Sequence, residues 1–533
     1  MKHSPEVDAV VVGAGFAGLY MLHRLRERGL TVRVFEAASG LGGTWNWNRY
    51  PGARCDVDSL EYSYGFSEEL QQEWKWSERN STQGDILAYL NHVADRFDLR
   101  RHIEFDTRVE SALFDEAAGR WVIETSRGER VTARFCIMAT GCLSSVNVPA
   151  FEGLETFRGE WYHTGNWPHA GVDFTGKRVG IIGTGSSGVQ AIPLIAAEAA
   201  HLHVFQRTAT WVIPAGNGPL DPDVERRIKA DYAGLRERNR LMPVAFGSEY
   251  TFHYELVADV APEERTRRLE AAWQTGGFFP FGGCFADTML DEAANEVVAD
   301  FVRGKIRAIV RDPAVAELLC PTTPIGCKRL CLGTDYYETY NRPNVTLVSV
   351  REAPITRITP TGLETSRASY DLDSIVFATG FDAMTGSLLR IDIRGRGGEP
   401  LARKWGAGPR TYLGLGICGF PNLFTISGPG SPSVLTNMVA SIEQHVDWIA
   451  ECLSHLRSRG LSRIEATAAA EAEWVEHVNA VAALTLYPRC NSWYLGANVP
   501  GKPRVFMPYI GFPMYVAKCE DVVAKGYDGF ELT

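Results

Sequence analysis

Short apolar runs alternate with stretches of helical periodicity along this chain, and the first such unit opens almost at once. Residues 8–12 read DAVVV, a continuous apolar run suited to a strand covered on both faces. It leads into Gly13-Ala14-Gly15-Phe16-Ala17-Gly18, a helical pattern over 19–28, a stop at Gly29, and a second strand over 31–35 followed by Glu36. The unit returns at 177–182 (KRVGII), with Gly183-Thr184-Gly185-Ser186-Ser187-Gly188, an apolar helix over 189–199 and a strand over 201–205. Two more apolar runs, 135–138 and 374–377, end in Ala139-Thr140-Gly141 and Ala378-Thr379-Gly380. A run closed by a small residue and glycine suits a strand passing close under a bound cofactor.

The repeated order of strand, glycine turn, helix and strand predicts an α/β chain with two Rossmann-like dinucleotide-binding domains. Gly13 allows the tight turn, Gly15 lets a pyrophosphate approach the backbone, Gly18 lets helix pack on strand, and the helix N-terminus offers amide donors to phosphate. Glu36 can accept hydrogen bonds from both hydroxyls of an unphosphorylated ribose. The count of 23 residues from Gly13 to Glu36, repeated from Gly183, reaches Gln206, followed by Arg207 and Thr208. A cation there pairs with a 2′-phosphate that a carboxylate would repel, so the second site should prefer NADP.

Composition narrows the function classes. The 533 residues are 45% hydrophobic and 22% charged, with a net charge of −10. That is a globular composition with no basic surplus for nucleic acid or anionic membranes. Residues 411–442 carry no charge, but repeated Gly and Pro make a buried loop-and-helix region the better reading than a membrane span. Residues 1–8 show no basic leader with an apolar core, so a cytoplasmic protein is expected. The eleven cysteines include no CxxC pair, no metal site is suggested, and reduced, buried thiols are the expectation.

Two stretches make the chemistry specific. Phe157-Arg158-Gly159-Glu160-Trp161-Tyr162-His163-Thr164-Gly165-Asn166-Trp167 fits the pattern FxGxxxHTxxW. Gly43-Thr44-Trp45-Asn46-Trp47-Asn48-Arg49-Tyr50-Pro51-Gly52-Ala53-Arg54-Cys55-Asp56 fits GxWxxxxYPGxxxD. Both are fingerprints of type I Baeyer–Villiger flavin monooxygenases, which the chain resembles from end to end, closest to the phenylacetone, steroid and cyclohexanone group.

The resemblance implies FAD and NADPH as cofactors, with O2 and a small-molecule ketone as substrates. In that family NADPH reduces FAD, the flavin holds oxygen as a C4a-peroxide, and attack on the ketone gives a tetrahedral adduct that rearranges to an ester or lactone. Arg329 matches the active-site arginine, which cannot give up its proton, and Asp56 matches its carboxylate partner. Thr44, Trp45, Asn46, Trp47 and Tyr62 should contact the flavin. Arg54, Cys55 and Asp56 should lie where flavin and nicotinamide meet. Thr184, Gly185, Ser186, Ser187, Gly188, Gln190, Arg207, Thr208 and Lys328 should hold NADP, and Trp493 should reach it when its loop closes. Ser433, Val434 and Met438 should line the substrate pocket. His163 sits in the family's interdomain linker, with a role in motion favoured over direct chemistry.

The expected organisation is an FAD domain in two parts, 1–144 and 381–533, around an NADP domain at 145–380 that carries a helical insertion over about 220–318. Its glycine-rich piece, 276–283, is expected to be a packed turn rather than a mobile lid. No obligate protein partner is implied. The competing functions are a flavin monooxygenase of nitrogen or sulfur, which would not need Arg329, and a non-catalytic flavoprotein. A flavin disulfide reductase would need a dithiol beside the flavin.

Overall fold

The computed structural model describes residues 6–533; the first five residues of the N-terminal reading lie outside it. The DAVVV run occupies the interior of an eight-stranded sheet. Its strand, Glu6–Val12, pairs in parallel with Val32–Phe35 on one side and Arg130–Met138 on the other. Val10 and Val11 are wholly buried, which is why the run is continuous rather than alternating. Two strands from late in the chain join the same sheet. Asp392–Arg394 lies beside Val109–Asp115, and Leu423–Thr425 lies beside the end of Arg130–Met138.

The second unit builds a five-stranded, all-parallel sheet in the order Val345–Ser349, His201–Gln206, Arg178–Ile182, Ser374–Phe377, Glu160–His163. In both units the helix begins earlier than its apolar periodicity suggests, at Phe16–Glu27 and Ser186–Glu198. Gly15 and Gly185 are extended and serve as N-caps, so Gly18 and Gly188 fall inside the first helical turn, whose leading amides have no partner within the helix.

The Ala-Thr-Gly segments do a job that periodicity does not reveal. Gly13 has φ +106°, and a Cβ there would lie 2.6 Å from the Ala139 carbonyl oxygen. Gly183, at φ +108°, meets the Ala378 carbonyl in the same way. Each apolar run therefore ends by pressing its backbone against the first glycine of a nucleotide turn, where no side chain fits.

Between the paired strands Val212–Pro214 and Cys331–Gly333 the chain runs through helices that include Pro222–Ala230, Tyr232–Arg240, Pro262–Thr275, Glu292–Ile309 and Pro313–Leu319. The 276–283 piece forms a helical turn, Phe278–Gly282, with Phe279 and Phe281 buried. Among the described residues no helix is long and apolar enough to cross a membrane. The charge-free 411–442 stretch divides into turns, a short strand and the start of the Met438–Ser458 helix.

One expectation is overturned. Cys327 and Cys490 form a disulfide, with Cα atoms 6.2 Å apart, while nine cysteines are free. The two are 163 residues apart, so no local spacing could have paired them. Removing a native disulfide typically costs about 2–5 kcal/mol, and a loop this long lies at the upper end in the chain-entropy picture. Cys490→Ser should therefore melt below the wild type, and excess dithiothreitol should lower the wild-type midpoint while leaving the variant's unchanged. Coincident melts under all four conditions would remove the bridge from the stability of the fold.

Candidate active site

The first glycine turn faces the Gly43 turn across a gap too narrow for side chains: a Cβ on Gly43 would lie 3.1 Å from the Gly15 Cα. Glu36 is buried at the end of its strand. One carboxylate oxygen accepts from Ala14 N at 2.7 Å and the other from Ala38 N at 2.8 Å. Each oxygen retains a lone pair for a ribose hydroxyl. Burial raises the Glu36 pKa against these bonds. Gly43 caps the one-turn helix Thr44–Trp47. Trp45 Nε1 donates to the Tyr62 hydroxyl at 3.3 Å, and the Tyr62 ring stands edge-on to Phe16, centroids 5.3 Å apart. Thr44 is exposed, Trp47 half-buried. The Asn46 side chain is buried, yet its Nδ2 has no partner among the described residues. An orphaned amide, a close glycine pair and a held ribose acid fit a flavin dinucleotide.

At the second turn Gly185 and Ser186 are exposed at the helix N-terminus, with Ser187 and Gly188 behind them. Thr184 Oγ1 donates to the Thr208 carbonyl at 3.2 Å, and the Ser186 hydroxyl lies 3.3 Å from Cys331 Sγ. Arg207 is exposed and Lys328 half-buried. Burial, and then the nearby Arg207 charge, depress the Lys328 pKa. Neither cation has an acidic partner among the described residues. Two uncompensated positive charges beside a glycine turn fit the 2′-phosphate of NADP.

The two halves meet at an ion pair. Arg329 Nε donates to Asp56 Oδ2 and Nη2 to Asp56 Oδ1, both at 2.7 Å, and Nη1 donates to the Val434 carbonyl at 2.9 Å. Burial works to raise the Asp56 pKa, but the Arg329 charge and its hydrogen bonds outweigh it and hold the carboxyl below its ordinary range. Burial likewise opposes the Arg329 charge, and Asp56 more than restores it. Val434, Met438, Trp493 and Tyr494 belong to one apolar cluster, in which the Trp493 and Tyr494 ring centroids are 4.3 Å apart. Ser433 is buried beside them in the left-handed region, at φ +44°.

Comparisons with known proteins agree with this geometry. Residues 7–221 match the family FMO-like, flavin-binding monooxygenase-like. A Baeyer-Villiger monooxygenase of Pseudooceanicola batsensis is 46% identical over 526 residues, 98% of this chain and 95% of that protein. The solved structure of an oxidized steroid monooxygenase bound to NADP superposes with a TM-score of 0.94 at 55% identity, covering 99% of each chain. The chain belongs to the Baeyer–Villiger monooxygenases. A phenazine N-monooxygenase of Lysobacter antibioticus is also similar, 43% identical over 98% of this chain and 97% of that protein.

Several residues of this Baeyer–Villiger monooxygenase are engaged in ways the motifs do not announce. Gln190 spans the junction: its Oε1 accepts from the Tyr50 hydroxyl at 2.8 Å and its Nε2 donates to the Arg54 carbonyl at 3.2 Å. Gly52 packs against the Gln190 backbone carbonyl, where a Cβ would stand 2.5 Å away. Arg54 pairs with Glu78 at 2.8 Å. Burial pushes the Cys55 thiol up, which suits packing rather than nucleophilic chemistry. His163 is buried, with its pKa lowered to about 4 chiefly by that burial. Its Nδ1 accepts from Gly165 N at 3.0 Å, and Nε2 lies 3.3 Å from Thr379 Oγ1. A neutral His163 thus ties the linker to the second Ala-Thr-Gly segment. Trp167, which ends the same fingerprint, donates its backbone N–H to the Trp47 carbonyl at 3.3 Å.

Arg207→Ala and Lys328→Ala should each raise KM for NADPH about tenfold while leaving KM for NADH unchanged, the outcome expected of cations that face a 2′-phosphate. Equal losses with both coenzymes would remove these cations from that role. Asp56→Asn leaves Arg329 without a counter-charge and should cost about 2–3 kcal/mol, below the fully buried value because the pair is about a quarter exposed. A carboxyl held low stabilises the fold fully above its unfolded pKa of about 3.9 and loses this as pH falls through the folded value. The gap in unfolding midpoint between wild type and Asp56→Asn should accordingly be constant near neutrality and close only below about pH 4.

Proposed function

We infer that this enzyme uses NADPH and O2 to insert one oxygen atom beside a ketone carbonyl, giving an ester or lactone. The carrying observation is the bidentate Asp56–Arg329 pair, joined to the Val434 carbonyl between the two nucleotide folds. Residues 1–144 and 381–533 form the FAD domain in this reading, and 145–380, with an insertion over about 220–318, form the NADP domain. The sharing of one sheet by strands 6–138 and 392–425 supports that division. A cytoplasmic setting suits an enzyme that consumes NADPH.

Bound FAD, with NADPH as its reductant, would supply the activation of O2. The protein's part is to orient, to exclude water and to place charge. Arg329 spends three hydrogen bonds on Asp56 and Val434 and keeps further N–H donors for negative charge developing on the ketone oxygen. Because guanidinium holds its proton, it stabilises that charge without quenching a basic oxygen nucleophile. Asp56 fixes the plane of the guanidinium. Ser433, Val434 and Met438 shape the ketone's entry, and Trp493 with Tyr494 closes the apolar side, which limits water at the reacting atoms.

The phenazine N-monooxygenase relative supports a second reading, oxidation of a ring nitrogen. Oxygen-18 gas separates the two, since the label enters the ring oxygen of a lactone or ester in the first case and an N-oxide in the second. Arg329→Ala should still allow NADPH to reduce the flavin in anaerobic stopped flow, while ester formation falls by about a hundredfold or more. Undiminished ester yield would take Arg329 out of the mechanism.

A further inference from the structure

Glu61 precedes the flavin-side Tyr62 and is 3% exposed. Three distant segments converge on it. Its Oε1 accepts from Asn239 Nδ2 and from Gly247 N, both at 2.9 Å, in the helical insertion. Its backbone carbonyl accepts from Asn437 Nδ2 at 2.8 Å, at the end of the 433–438 loop, and from Arg236 Nη1 at 2.8 Å. The insertion and the loop are also joined directly, since Asn437 N donates to the Val244 carbonyl at 2.8 Å. The insertion bends sharply to make this contact, with Ala245 at φ +58° and Gly247 at φ +88°, where a Cβ would strike the Phe279 ring. The second carboxylate oxygen, Oε2, is buried without a partner among the described residues.

We propose that Glu61 is a positioning residue for the ketone pocket, holding the 433–438 loop and the insertion in register with Tyr62. The inference rests on the assignment of that loop to the pocket. The loop supplies both Met438 and the Val434 carbonyl that Arg329 binds, so its placement sets where the ketone lies against the guanidinium. An apolar residue at position 61 would strand the Asn239 and Gly247 donors in the interior, whereas glutamine would keep an acceptor for them.

The carboxyl has a distinctive titration. Burial, and then the nearby Asp58, push it up to about 7. The groups around it are Asp58 on its own segment, held by Arg79 and the Tyr250 hydroxyl, and Tyr232, Arg236 and Asn239 on the Tyr232–Arg240 helix. Asn437 faces it from the loop, and Glu443, on the Met438–Ser458 helix, shares the influence of Arg236. Once ionised, Glu61 accepts charge-assisted bonds that hold the insertion more firmly. KM for the ketone should therefore fall as pH rises through about 7, with kcat and flavin reduction by NADPH not following that step.

The test is Glu61→Gln in the holoenzyme, with ketone KM, kcat and anaerobic flavin reduction measured between about pH 6 and pH 8.5. The expected result is a KM about fivefold above wild type at the alkaline end, loss of the step near 7, and flavin reduction within about twofold of wild type. Asn239→Ala removes the side-chain donor to the same carboxylate from the insertion side, should raise KM in the same direction, and carries the test if Glu61→Gln does not fold. Coincident KM profiles for wild type and both variants would overturn the proposal, as would flavin reduction falling in step with turnover. Met438→Ala separates the layers. If it shifts ketone KM and Glu61→Gln does not, Glu61 fails and the pocket stands; if neither does, the pocket assignment fails first.

Discussion

The pairing of Asp56 with Arg329 joins positions 273 residues apart and is where the two nucleotide folds become one site. Asp56 follows a turn clamped onto the second fold by Gly52 against the Gln190 backbone. Arg329 stands two residues before the strand that closes the base of the helical insertion. Neither charge is comfortable alone: burial pushes each toward neutrality, and each is restored by the other. Such a pair contributes little net stability, since desolvation offsets most of the attraction, but it tolerates very few geometries. Its use is orientation, and the Val434 carbonyl extends that orientation to the 433–438 loop.

The two glycine units show how one backbone device acquires two chemistries. In both, the first glycine lies against the carbonyl of an Ala-Thr-Gly segment, so the turn geometry is set by backbone alone. They diverge at the end of the second strand. Glu36 stays by its own loop and accepts its amides. Gln206 instead donates to the Leu318 carbonyl at 2.7 Å, so that position serves the insertion. Arg207 and Lys328, one at the strand's end and one at the insertion's base, are the cations proposed to take over recognition. In that proposal, preference for a phosphorylated ribose is built partly from the segment that interrupts the fold.

The parts legible in the sequence are those whose cause is local. Periodicity, a glycine turn and the identity of the residue after a strand are written within a few dozen positions, and the strands and helices follow them closely. Helix starts were displaced because Gly15 and Gly185 act as caps, which propensity alone assigns to the turn. Contacts between distant segments were not legible in this way. Cys327 with Cys490, Gln190 with Tyr50, and Glu61 with Asn239 and Asn437 have no signature in spacing, since folding alone brings them together. The Asp56–Arg329 contact was reachable only through family resemblance, for the same reason.

That division explains why motifs identify the reaction class and stop short of the ketone. Asp56 and Arg329 sit on short segments beside the two nucleotide folds. The 433–438 loop is held from several independent directions: by Arg329 at Val434, by Glu61 and Val244 at Asn437, and by the apolar cluster that includes Trp493 and Tyr494. Its shape is a property of the whole junction, and a substitution in any anchoring segment moves it without touching a motif. Left-handed Ser433 shows how narrowly the loop is constrained, since a non-glycine residue keeps that conformation only where its surroundings over-determine it. In the proposed reading, specificity is therefore set by which segments grip the loop as much as by the loop residues themselves.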